Sequence, residues 1–404
     1  MSEITIFGAR PLFGNITPSG SKNAALPIIF AALAVSGVSV LYDLPDITDV
    51  RVALDIISDF GAKIERDGRR VTLDTRNVAY KKPDKKLTSR IRASSYLIGA
   101  CLSRFGEFDL SEVGGCNFCN RPLDMHLYAA EKLGTKIEGE RLSASRLSGA
   151  DIKFNKISVG ATINALIMAS RAKGVTRIFG AAREPHVKNV IRYLRAAGAE
   201  ICDSADALTV KGSILSGAEV KIIPDMIEAG TFLLLGPLTG GMVSVDIPKD
   251  AGLESFFEVL SDSGISISRN ENIVSAWGEP FKKIRVSTSP HPGFPTDLQP
   301  QTAPLMARYH GGEIIENVWQ DRFSYLNSLS AFGIKSDKIV GGRRINPSRI
   351  GAAECEAPDL RGGAAAVLSA LVAEGKSKIK NTELIMRGYA DIWAKLRSLG
   401  ARIE

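Results

Sequence analysis

The sequence predicts an α/β protein of two domains, each carrying three copies of one repeating unit, and three observations carry that prediction. The chain is 404 residues long, beyond the roughly 250–300 residues at which a single hydrophobic core usually stops growing, so two domains are expected. An apolar helical segment that ends at glycine and runs into a short β-rich stretch recurs at Gly37, Gly106, Gly174, Gly241, Gly312 and Gly375, with successive gaps of 69, 68, 67, 71 and 63 residues. A second series, again a helix closing on glycine before a strand, runs through Gly61, Gly134, Gly198, Gly264, Gly333 and Gly400. Two interleaved series in one period mark a repeat, and glycine after the last helical turn is the expected left-handed cap.

In chain order, the first helix of unit one covers residues 24–36 and leads to Val38, Ser39 and Val40. Its counterparts cover residues 95–105, leading to Glu107 and Phe108, and residues 164–173, leading to Val175 and Thr176. After the second helix most units offer a strand, a turn and another strand, as in residues 62–65, Asp67-Gly68 and residues 71–74. Helices alternating with several β-branched runs per period are an α/β pattern. The sixth unit stops at Arg402, Ile403 and Glu404 without its second strand, and Ile4, Thr5, Ile6 and Phe7 have the character to supply it. Both termini are therefore expected in one domain. Three units per domain place residues 22–225, with the loop around Cys116, in the first domain, and residues 1–21 plus 226–404 in the second.

Composition narrows the class. Apolar residues make up 45% and charged residues 24% of the chain, the balance of an ordinary soluble globular protein. The net charge of +7, from 51 Lys and Arg against 44 Asp and Glu, fits an anionic partner or simply a solvated surface. No basic block and no aromatic-rich basic stretch is present, so nucleic acid is not an expected partner. Residues 1–20 lack the basic start and apolar run of a signal peptide, and no apolar stretch is long enough to cross a bilayer. The expectation is a cytoplasmic protein with no membrane partner. Five scattered cysteines, an odd number, point to free thiols in a reducing compartment. Cys116 and Cys119 form a Cys-x-x-Cys, but a zinc site needs a second ligand pair, and His126, His186, His291 and His310 are all far from one another in sequence. A redox pair normally opens a helix, whereas Pro122 follows here in a loop rich in glycine and asparagine. No metal and no disulfide is expected.

That loop, residues 114–124, holds a thiol beside an arginine: Gly114 and Gly115 precede Cys116, and Arg121, Pro122, Leu123 and Asp124 follow. By itself it reads either as chemistry or as a loop with an incidental cysteine. The repeat decides. When the units are aligned on their glycines, the residues before the first helices include Lys22 and Asn23, Arg92, Val159 and Gly160, Glu228, Asp297, and Arg361. Helix N-termini suit phosphates and carboxylates, and their first turn favours acidic side chains, so three basic residues at equivalent places point to an anion site. A second equivalent set follows the next strand: Asp49, Cys116 with Arg121, Arg183 with Glu184, Lys249 with Asp250, Arg322, and Arg387. Cys116 thus falls where other units also carry charge, which favours function.

Taken together and in order, several motifs resemble those of the UDP-N-acetylglucosamine enolpyruvyl transferases from end to end. They are Gly20 to Pro27; Arg92-Ala93-Ser94; Gly114-Gly115-Cys116 with Arg121-Pro122; Ser158 to Thr162; Ala182 to Pro185; Phe294 to Asp297; Asp359-Leu360-Arg361; and Arg387-Gly388-Tyr389. The resemblance implies two domains of three βαβαββ units each, an inside-out α/β barrel. It also implies transfer of the enolpyruvyl group of phosphoenolpyruvate to the sugar 3-hydroxyl with loss of phosphate, the first committed step of bacterial peptidoglycan synthesis, and so a link to cell shape and division. No cofactor and no metal is implied.

The resemblance also assigns residues. Cys116 matches the general acid that protonates the methylene carbon; a thiol with an ordinary pKa of about 8.5 is mostly protonated at neutral pH yet able to give up its proton. Asp297 matches the aspartate that accepts the proton of the acceptor, and Lys22 joins these two in the catalytic set. For phosphoenolpyruvate, Lys22, Arg121 and Arg387 match contacts to the phosphate and Arg322 and Arg361 contacts to the carboxylate, with Asn23 beside them; arginine's planar fork suits both anions. The sugar nucleotide falls to Asn23, Asp297 and Val318 at the sugar and to Arg92, Arg121, Pro122, Leu123, Asp124, Ser158, Val159 and Gly160 at the uridine and diphosphate. The family closes its domains on substrate, making the Cys116 loop a lid, and fosfomycin alkylates its cysteine. This chain departs from the common pattern at Asn117, Phe118, Cys119 and Asn120, at Trp319, Gln320 and Asp321, and at His186, which bears on the acceptor side more than on the phosphoenolpyruvate side. The alternatives are a related transferase with another acceptor, such as a nucleotide, another sugar nucleotide or shikimate phosphate, and a paralogue that binds a nucleotide sugar without turnover. An RNA-end enzyme on a similar fold would instead show a catalytic histidine.

Overall fold

The computed structural model describes residues 2–114 and 122–404. Contacts divide the chain into two compact units, Gly20–Ile223 and Met1–Ser19 with Pro224–Glu404.

The unit formed by residues 20–223 is built around two helices that are buried on every side. Lys22–Ala34 buries every residue from Ala24 onward, and Val159–Ala169 does the same from Ala161. A helix without a charged face to turn to solvent lies in an interior. Thr48–Asp59 and Pro185–Ala196, by contrast, bury one face and expose the other. Two four-stranded sheets accompany them, with strand order Glu219–Lys221, Val38–Tyr42, Arg70–Asp74, Lys63–Asp67 in one and Asp151–Lys153, Val175–Phe179, Ala207–Lys211, Glu200–Asp203 in the other. In each, the first two strands are parallel and the others antiparallel. A three-stranded sheet is made of Glu107–Asp109, Arg141–Ser143 and Lys136–Glu138.

The other unit repeats the scheme. Met226–Thr239, Gln299–Arg308 and Leu360–Val372 are its buried helices. One sheet runs Phe13–Ile16, Met242–Asp246, Ile273–Trp277, Ser266–Asn270, and a second runs Ile284–Ser287, Gly312–Ile315, Gly342–Ile345, Ser336–Ile339. In the third, Glu3–Phe7 stands between Lys376–Lys380 and Arg402–Ile403 and pairs antiparallel with both. The N-terminal strand thus fills the place taken in the other sheets by a strand from the same repeat, and Ile6 is fully buried there.

The two glycine series have different physical causes. All six glycines of the second series adopt left-handed φ, from +84° at Gly333 to +113° at Gly198. In the first series Gly106, Gly174 and Gly375 do so, but Gly37, Gly241 and Gly312 do not. At those three a Cβ would collide with the backbone of Gly217, Leu12 and Ile284 respectively. Glycine is required there by close approach of another strand rather than by a cap. The basic residue that leads the second unit also differs from expectation, since Arg92 lies in a 3₁₀ turn, Arg92–Tyr96, that precedes the helix Leu97–Arg104. Among the described residues no helix is long and apolar enough to cross a membrane.

Candidate active site

In the 20–223 unit, Lys22 opens its buried helix with Asn23 beside it, and its Nζ lies 2.7 Å from Oδ2 of Asp49 in the first turn of Thr48–Asp59. Both side chains are largely buried, at 14% and 4% exposure. A nearly desolvated ammonium needs a counter-ion, and Asp49 supplies one while fixing where the lysine points. The two equivalent sets of charged residues therefore meet at this pair. Arg92 donates from Nη1 to the carbonyl oxygen of Gly114 at 3.1 Å, and the Gly114 N–H donates to Ser94 Oγ at 2.8 Å. A Cβ on Gly114 would strike the carbonyls of Thr88 and Ile91. The near root of the cysteine loop is thus pinned, whereas Gly115, Cys116, Cys119 and Arg121 lie outside the described residues. Pro122 and Leu123 lead into the helix Asp124–Lys132. Ser158 caps Val159–Ala169, its Oγ accepting the Ala161 N–H at 3.3 Å, so Val159 and Gly160 occupy a first turn with free N–H capacity.

One functional candidate here was not singled out from the sequence. His126 is 7% exposed and its ring edge lies under Gly160, where a Cβ would come within 2.9 Å of Cε1 and 3.0 Å of Nε2. Burial, helped by the charge of Arg92, lowers its pKa to about 4, which keeps the imidazole neutral at pH 7.

In the other unit, three predicted residues form one cluster. Asp297 Oδ1 lies 2.7 Å from Arg322 Nη1, and Oδ2 lies 3.1 Å from Arg361 Nη2. Both guanidinium groups are buried, and burial works against the charge of Arg361 while Asp297 overrides it. Arg361 sits in the first turn of Leu360–Val372, whose cap residue Asp359 accepts the N–H groups of Arg361 and Gly362. Its guanidinium carbon stands 5.4 Å from the centre of the Tyr389 ring, and the Tyr389 hydroxyl is held by Thr231 and Gln301 at 2.9 and 3.1 Å. Among the described residues Arg361 Nη1 has no hydrogen-bond partner, an arrangement suited to a further anionic acceptor. Arg387 closes the 3₁₀ segment Thr382–Arg387.

Glu316, also missed by sequence reasoning, organises the remaining positions. Buried to 5% exposure, its Oε1 accepts from Thr288 Oγ1 at 2.8 Å and from the N–H groups of Val318 and Trp319 at 2.9 Å, while Oε2 accepts from Thr296 Oγ1 at 2.9 Å. One carboxylate thereby ties the Val318 turn to the residue before Asp297. Chemically, the cluster offers fixed cations around a carboxylate, which suits binding of a small dianion and transfer of a proton. Of the other cysteines, Cys101 and Cys355 are buried and their thiol pKa values are raised by desolvation, whereas Cys202 is exposed.

The sequence matches the family EPSP synthase (3-phosphoshikimate 1-carboxyvinyltransferase) over residues 6–396. It is 40% identical to a UDP-N-acetylglucosamine 1-carboxyvinyltransferase of Halothermothrix orenii, covering 100% of this chain and 99% of the relative. It is 39% identical, with the same coverage, to UDP-N-acetylglucosamine 1-carboxyvinyltransferase 3 of Caldanaerobacter subterraneus subsp. tengcongensis. Among solved structures, the enolpyruvyl transferase NikO from Streptomyces tendae superposes with a TM-score of 0.89 at 26% identity, covering 100% of this chain and 98% of that one. EPSP synthase from Acinetobacter baumannii gives 0.75 at 17% identity over 100% and 99% of the two chains, a likeness of fold.

Proposed function

Because this chain belongs to the EPSP synthase family, and within it to the UDP-N-acetylglucosamine 1-carboxyvinyltransferases, we propose that it transfers the enolpyruvyl group of phosphoenolpyruvate to the 3-hydroxyl of UDP-N-acetylglucosamine and releases phosphate. The observation that carries this reading is similarity at 37–40% identity over the whole chain to relatives that bear that activity as their name.

The residues divide the work by charge. Lys22, Arg121 and Arg387 hold the phosphate, and Arg322 and Arg361 hold the carboxylate, a cationic cradle that also stabilises charge developing in the transition state. Asn23 and Val318 contact the sugar. Arg92, Arg121, Pro122, Leu123, Asp124 and the turn Ser158-Val159-Gly160 hold uridine and diphosphate, the last through N–H groups at a helix N-terminus. Cys116 delivers a proton to the methylene carbon as the acceptor hydroxyl adds to the central carbon, and Asp297 takes the hydroxyl proton. Loss of a proton from the methyl group so formed then restores the carbon–carbon double bond as phosphate leaves the tetrahedral intermediate. Among the described residues, six sheets and five helices buried on all sides support the further reading of six βαβαββ units arranged as inside-out α/β barrels, with residues 22–225 as one domain and residues 1–21 plus 226–404 as the other. The protein then works in the cytoplasm, early in peptidoglycan synthesis, and serves growth and division.

The test is phosphate release from phosphoenolpyruvate with and without UDP-N-acetylglucosamine, with the mass of the nucleotide product. Acceptor-dependent release and an enolpyruvyl-nucleotide mass are expected; no release, or release that ignores this acceptor, overturns the assignment and sends the search to other acceptors. The same reading makes Cys116 the target of fosfomycin. A mass increment on Cys119 instead would contradict it.

A further inference from the structure

The carboxamide of Asn164 is oriented without ambiguity. Its Oδ1 accepts the Gly99 N–H at 2.9 Å, and a backbone N–H can only donate. Its Nδ2 donates to the Ser95 carbonyl oxygen at 2.9 Å, which can only accept. The other Nδ2 hydrogen meets His126 Nδ1 at 2.7 Å. That nitrogen must therefore carry a lone pair, and the single proton of the neutral imidazole resides on Nε2. Among the described residues Nε2 has no hydrogen-bond partner, and it lies against Gly160 in the first turn of Val159–Ala169. A ring more than nine-tenths buried is thus fixed at one nitrogen and presents a donor at the other, beside backbone N–H groups that also lack helical acceptors.

We propose that Asn164 is a positioning residue for nucleotide binding: it locks His126 in the Nε2–H tautomer, so that this edge donates to a phosphoryl oxygen of the acceptor's diphosphate at the first turn of the helix. The inference rests on the acceptor reading above and deepens it. A neutral donor at this place adds directionality that a mobile cation lacks, and it survives in a setting where desolvation and Arg92 oppose an imidazolium. Gly160 is part of the device, since a side chain there would displace the ring.

Long-range ¹H–¹⁵N NMR of the ligand-free protein, with His126 identified by its disappearance in His126→Gln, reads the tautomer directly. An unprotonated Nδ1 and a protonated Nε2 are expected at pH 7; an Nδ1–H tautomer or an imidazolium overturns the lock. Calorimetry with UDP-N-acetylglucosamine then reads the donor. His126→Phe, which keeps a ring in the space, should weaken binding about tenfold, the loss of a hydrogen bond to a charged group. His126→Gln, whose amide can place an N–H where Nε2–H was, should recover most of that loss, with the KM for phosphoenolpyruvate unmoved in both. Equal affinities of the two variants and the wild type overturn the donor role. Failure of the wild-type protein to bind UDP-N-acetylglucosamine overturns the acceptor reading instead, and the tautomer, measured without ligand, still decides the lock.

Discussion

Asp297 lies 2.7 Å from Arg322 and 3.1 Å from Arg361, so the proposed base begins as counter-ion to the two arginines proposed for the carboxylate of phosphoenolpyruvate. A substrate carboxylate that takes over those guanidinium groups releases Asp297 for proton transfer. Asp297→Asn should therefore lower kcat by roughly 10²–10⁴-fold, the usual worth of a general base, without weakening phosphoenolpyruvate binding in calorimetry. A variant that keeps its kcat would remove Asp297 from the base role, and one that loses the substrate would remove the competition. Glu228 carries a different prediction. It is 1% exposed, is bonded to Lys395 and accepts the Ser19 N–H at 3.0 Å. Burial outweighs the lysine and lifts its pKa to about 7. Between the unfolded value near 4.3 and about 7 the folded state holds a proton that the unfolded state has lost, so stability falls as pH rises through that window, by at most about 4 kcal/mol. Urea midpoints at pH 5 and pH 8 should thus differ more in the wild type than in Glu228→Gln; parallel pH profiles would refute the assignment. At this scale the repeat drew notice to Arg322 and Arg361 by setting charge in equivalent places, whereas the role proposed for Asp297 comes from the resemblance alone. Glu316 and Asn164 stayed hidden, since their partners Thr288, Thr296, Ser95 and Gly99 come from other segments.

At the scale of elements, what was legible was what is local. The second glycine series could be read because a left-handed residue after a helix leaves its mark at one position, and all six show it. Gly37, Gly241 and Gly312 recur for a reason invisible locally, the approach of a strand distant in sequence. Gly99 makes the distinction measurable. A Cβ there would meet Asn164 Oδ1 at 2.5 Å and the Asn164 carbonyl oxygen at 3.1 Å, so Gly99→Ala must part the helices Leu97–Arg104 and Val159–Ala169 or break the 2.9 Å bond between the Gly99 N–H and Asn164. Overpacking of this kind costs about 1–3 kcal/mol even though alanine is the better helix former. Gly68, at φ +56° with nothing within 4 Å of a Cβ, carries only backbone strain, about 1 kcal/mol on replacement by alanine. Denaturation midpoints should place Gly99→Ala below Gly68→Ala, and Gly99→Ala alone should disturb the His126 tautomer. A Gly99→Ala protein with wild-type stability would mean that the two helices are not packed as closely as their backbones indicate.

For the whole molecule, the decisive element is the first strand. Glu3–Phe7 pairs with Lys376–Lys380 and with Arg402–Ile403, and Thr5 and Glu404 exchange backbone hydrogen bonds at 2.9 Å. One unit therefore has a core assembled from both ends of the chain, while the other is continuous from residue 20 to residue 223. The sequence announced the strand through a sixth repeat that lacked one, a deficit visible only against the period of the other five. Ile6, fully buried with its strand, tests the consequence. Ile6→Ala should cost about 2–5 kcal/mol, the usual range for truncating a buried isoleucine. If the units unfold as separate cooperative bodies, the loss belongs to one of them. Hydrogen exchange read by mass spectrometry should then show faster exchange in peptides from residues 2–19 and 224–404, with unchanged protection in peptides from residues 20–223. Equal loss of protection in both sets would mean that the two units form a single cooperative body, and the proposed division into domains would describe contacts rather than stability.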